Sequence, residues 1–82
     1  MKHIDYRIAG DRKKYRIDRY DIVLVRNNKD EIWKEDVYWE TNELAFKRHI
    51  CLYGEYRFCI PMCDETRHLK GTSDKYDKFI EI

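Results

Sequence analysis

Eighty-two residues allow one domain and one core, and a chain this short leaves roughly 40% of its unfolded surface in water after folding. Seven Tyr, three Phe and two Trp give that core few but large side chains, which sets the chain apart from a disordered one despite 40% charged residues. The net charge of +1 is far from that of a strongly basic nucleic-acid domain, and the longest strongly apolar run, residues 22–25, falls well short of the roughly 20 residues that span a bilayer.

Residues 3–8 alternate polar and apolar, so Ile4, Tyr6 and Ile8 share one face of a half-buried strand. Gly10-Asp11 marks a corner, and Tyr15 and Ile17 resume the alternation, so the first two strands are expected to form a hairpin. The phase slips at Asp18-Arg19, because Tyr20, Ile22 and Leu24 hold the opposite parity. A β-bulge accounts for such a slip. Residues 22–25 are apolar on both faces and read as the most buried strand. Asn27-Asn28-Lys29-Asp30 is a polar turn. Residues 31–40 then read as a kinked strand, with Ile32-Trp33 and Val37-Tyr38-Trp39 separated by Lys34-Glu35-Asp36.

Residues 42–53 admit two readings. Thr41 or Asn42 as N-cap, Glu43 in a first turn and Gly54 past the end are helix signals. At about 100° per residue, however, the apolar side chains scatter around the wheel. At period two, Leu44, Phe46, Ile50 and Leu52 line one face, and Gly54-Glu55 has the composition of a type II′ hairpin loop. A strand is therefore preferred. Pro61 is expected to end a ladder or lie on an edge, residues 64–74 to form a polar connection, and residues 76–82 to dock as a last strand. The expected fold is mainly β, a small antiparallel sheet of five or six strands curling toward a barrel. An α+β fold with one helix at 42–53 is the alternative.

No constellation specifies an enzyme. His49, Cys51, Cys59, Cys63 and His68 lie close in sequence, but only Cys59-x₃-Cys63 resembles a zinc knuckle, and the expected hairpin puts Cys51 and Cys59 on opposite faces. No pattern joins a cysteine to a histidine base, Ser73 is the only serine, and three scattered glycines cannot cradle a phosphate. Neither a metal nor a cofactor is expected. Three cysteines cannot all pair, and the first six residues lack an apolar export core, so free buried thiols in a reducing cytoplasm are expected.

Charge is sorted along the chain. Residues 7–19 carry six basic side chains against two acidic ones, and residues 30–43 carry six acidic against one basic. Such segregation points to a binding protein with a cationic and an anionic surface. The expected contact residues are Arg12, Lys13, Lys14, Arg16, Arg19 and Tyr20 on the first, Glu35, Asp36 and Trp39 on the second, with Lys47 and Arg48 beside them. A cellular protein is the expected partner. The lean toward Lys, Asp, Glu, Ile, Tyr and Asn, with no Gln, is what an AT-rich gene gives. On that basis a phage-encoded inhibitor or modulator of a host protein is the most specific expectation. RNA or single-stranded DNA held by the basic aromatic face around 12–20 is the alternative.

Overall fold

The structure, a computed structural model, describes residues 2–10 and 13–82. The described residues form eight strands in chain order: β1 (His3–Ile8), β2 (Lys14–Asp18), β3 (Ile22–Arg26), β4 (Lys34–Thr41), β5 (His49–Cys51), β6 (Glu55–Tyr56), β7 (Phe58–Pro61) and β8 (Phe79–Glu81). A single 3₁₀ turn, Arg67–Leu69, interrupts them.

The alternation in the first strands sets their pairing. β1 and β2 form the expected hairpin, with Ile4 opposite Ile17 and Tyr6 opposite Tyr15. β8 docks antiparallel on the other edge of β1, which completes a three-stranded sheet in the order β2-β1-β8. The remaining strands form a five-stranded sheet in the order β6-β5-β4-β3-β7. The fold is thus mainly β and antiparallel as expected, but built of two sheets. The larger one does curl: Arg57 alone separates its two edge strands, β6 and β7, so the chain turns a corner from one edge to the other. Its edges do not pair, and no barrel closes.

Four local expectations are corrected. The phase slip after Asp18 is a turn between the two sheets, not a bulge: Asp21 N–H donates to Asp18 O at 3.0 Å and Tyr20 sits at φ 75°. A tyrosine rarely adopts that left-handed region, so the sequence carries no signal for it. The helix alternative at 42–53 is absent, and the strand there covers only β5. The hairpin after it turns on Leu52-Tyr53, with Cys51 N–H donating to Gly54 O at 2.8 Å. Gly54 therefore lies beyond the corner; its small size serves the ring of Tyr56, whose Oη would lie 2.7 Å from an added Cβ. The kink in β4 lies at Trp39, where the register slips between Tyr38 and Glu40.

Two apolar clusters hold the layers. Ile4, Tyr6 and Ile17 from the small sheet meet Val23, Val25, Tyr38, Cys51, Tyr56 and Cys59 from the large one. Cys51 and Cys59 thus share one cluster rather than facing apart. On the outer face of the large sheet, Leu24 and Ile60 lie beneath Trp33 and Leu69. The segment after β7 is laid across this half of the face and tied down by backbone bonds from Trp33 N–H to Thr72 O and from Gly71 N–H to Trp33 O. Of the run at 22–25 expected to be most buried, Val23, Leu24 and Val25 are fully buried but Ile22 is half exposed; Pro61, as expected, ends an edge strand.

Candidate functional site

Folding mixes the charges that the sequence keeps apart. In and beside β2, Lys13 pairs with Glu65, Arg16 with Asp18, and the Arg19 guanidinium lies 3.7 Å from the Trp39 ring centre with Glu40 beside it. Lys14 stays exposed, and Arg12 lies outside the described residues. In the acidic stretch, Glu35 takes Lys70 at 2.7 Å. Asp36 departs furthest from expectation. It is only 2% exposed, accepts the Tyr56 hydroxyl at 2.9 Å and the Tyr53 N–H at 3.3 Å, and so ties the β5–β6 turn to β4. It is a structural residue with no surface to offer a partner. The sequence alone suggests a partner contact for Asp36 because the neutral donors that bury it lie seventeen and twenty residues away.

What the fold does bring together is apolar. Ile22 pairs with Val37 across β3 and β4, and Leu52 N–H donates to Val37 O at 2.9 Å, so the three side chains form a row on the outer face. Two residues along, the rings of Tyr20 and Trp39 meet edge to face at 5.7 Å with Arg19 stacked on the indole. Tyr20 is 65% exposed, and Ile22 and Leu52 are each 50% exposed. The ion pairs Arg19–Glu40 and Lys70–Glu35 border this uncovered half and match part of the charge on its rim. A groove of about 440 Å³ lined by Tyr15, Arg16, Tyr20, Ile22 and Met62 continues from it toward the small sheet. Of the expected contact residues, Arg19, Tyr20, Glu35 and Trp39 gather here, and Arg16 lines the groove. Ile22 and Leu52 were missed; the switch of parity at Tyr20, Ile22 and Leu24 was the signal that Ile22 faces away from the core.

Lys47 is exposed, whereas Arg48 belongs to a different region. It pairs with Glu81 and lines a cleft of about 400 Å³ where residues 75–81 pass the free edge of β7. The cleft wall includes Arg26, Lys29, Trp33, Arg57, Phe58 and Tyr76, none of them among the expected contact residues.

The thiols and imidazoles do not assemble a reactive centre. Burial pushes the Cys51 thiol up to about 12 and the Cys59 thiol well above its usual range. Burial, helped by the charge of Arg48, lowers His49 to about 4, and its ring lies in a buried chain with Thr41 and the Tyr38 hydroxyl. Among the described residues no group of three His, Cys, Asp or Glu is placed to hold a metal ion. No helix among them is long and apolar enough to cross a membrane. No known family, curated protein or solved structure matches the chain.

Proposed function

We propose that the chain is a non-enzymatic binding protein that docks on another protein through the uncovered half of its five-stranded sheet. The observation that carries this reading is the solvent-facing row Ile22–Val37–Leu52 beside the Arg19–Trp39–Tyr20 stack. Trp, Tyr and Arg around a dry apolar centre are the composition of interface hot spots. The paired rim fits a protein surface of mixed charge better than a polyanion, which needs an excess of cations. The three free thiols support a reducing cytoplasm as its compartment. The AT-leaning composition supports a phage-encoded modulator of a host factor as the form of this activity.

The test is capture from nuclease-treated lysate with the tagged chain and with an Ile22→Ser/Leu52→Ser variant. A stoichiometric partner held by the first and lost by the second is expected. A partner held equally by both, or released by nuclease, contradicts the reading. Self-association that the double substitution abolishes would assign the face to a second copy of the chain instead.

A further inference from the structure

We infer that the cleft along the free edge of β7 binds a nucleoside phosphate, with the phosphate on Arg26, Lys29 and Arg57 and the base among the aromatic walls. This site is separate from the docking face and stands or falls independently of it.

Arg26 is the starting point. It closes the most buried strand and is only 4% exposed, yet no carboxylate among the described residues pairs with it. Its Nη1 is shared between the carbonyls of Glu31 at 3.2 Å and Ser73 at 3.1 Å, and its plane lies 4.0 Å from the Trp33 ring centre. Among the described residues its Nε has no hydrogen-bond partner, nor has the Nε of Arg48 on the same wall. Burial lowers the pKa of Arg26 against the weaker opposing pull of the Asp30 and Glu31 carboxylates, and an anion in the cleft would relieve the remaining penalty.

The neighbouring cations point the same way. Arg48 is matched by Glu81 and Lys75 by Asp77, but Lys29 and Arg57 have no ion pair among the described residues. Arg57 instead stands with its guanidinium 4.5 Å from the ring centre of Phe46 and 5.4 Å from that of Phe58, held at the corner by a bond from its N–H to Asn27 Oδ1. Three unmatched cations therefore converge on one cleft.

The remaining wall selects for a ring. Phe58, Tyr76 and Phe79, each half-buried, line the cleft, with the Tyr76 and Phe79 rings 5.5 Å apart, while Trp33 lies buried behind Arg26. A bare phosphate has no use for such surface, whereas a base gains stacking from it. The volume of about 400 Å³ is that of a small-ligand site. A peptide added along the β7 edge fits less well, because the Tyr6 hydroxyl already donates to Cys59 O at 2.6 Å.

Calorimetric titration of the full chain tests the assignment, using the four nucleoside 5′-monophosphates, the parent nucleosides, inorganic phosphate and a single-stranded trinucleotide. Mononucleotides binding at least about tenfold more tightly than either nucleoside or phosphate would support a free nucleotide as ligand, since one charge-assisted contact is worth about that factor. A trinucleotide binding well where mononucleotides do not would support the same site acting on a strand. The Lys29→Ser/Arg57→Ser variant, altered only at exposed side chains, should weaken binding about tenfold or more. Lys2→Ser, outside the cleft, should leave it unchanged. Absence of heat with every ligand, phosphate binding as tightly as nucleotide, or full affinity in the double variant would each overturn the inference.

Discussion

The docking face and the β7 cleft share one strand, β3, and use its two ends in opposite ways. At one end Ile22 is left half in water on a face bordered by two ion pairs. At the other, Arg26 is taken out of water with no ion pair among the described residues and only the more distant pull of Asp30 and Glu31. The first arrangement costs the fold little, because single exposed apolar side chains are common on protein surfaces. The second is expensive, and the Trp33 face and two carbonyls offset only part of it. An apolar surface can therefore wait for its partner, whereas a buried cation shapes everything packed around it.

The contrast is broken most completely at Asp36, whose carboxylate supports the docking face from beneath. Asp36→Ala removes the acceptor for Tyr56 and Tyr53, a loss of roughly 3–5 kcal/mol in chemical denaturation, enough to unfold much of a domain this small. Acid comes next. His49, on the cleft side, is lowered to about 4 from 6.5, so between those values the unfolded chain binds a proton that the folded one refuses. Stability should be complete above pH 6.5 and fall by about 3 kcal/mol as pH drops to 4. His49→Leu should flatten that slope, and a pH series of urea midpoints reads both. Gly54→Ala should cost about 1–2 kcal/mol in thermal unfolding, because the new methyl displaces the Tyr56 ring from its bond to Asp36. Smallest of all, Ile22→Ser with Leu52→Ser should shift stability by under about 1 kcal/mol while removing partner binding. A large loss of stability there would mean that the face belongs to the core.

The sequence disclosed what depends on neighbours along the chain. Period-two alternation placed Ile4, Tyr6 and Ile17 correctly, and the run at Val23 to Val25 located the strand at the heart of the large sheet. It did not disclose what distant segments do to one another. The charge sorting is real in the chain, but Glu65 reaches back to Lys13 and Lys70 to Glu35, which cancels much of it in space. Arg26 follows an apolar run directly, and a cation in that position was a readable oddity. Its meaning required Trp33, Arg57 and Tyr76, which only the fold brings near. Tyr20, in a backbone region that tyrosines rarely enter, turned an expected bulge into the link between two sheets.

The central claim, that a protein docks on the uncovered sheet face, is tested most directly by hydroxyl-radical footprinting of the chain with its captured partner. Protection at Tyr20, Trp39 and Leu52, with Phe58 and Tyr76 unchanged, is the predicted result. Protection confined to the cleft side, with Tyr20 and Leu52 as reactive as in the free chain, would contradict it.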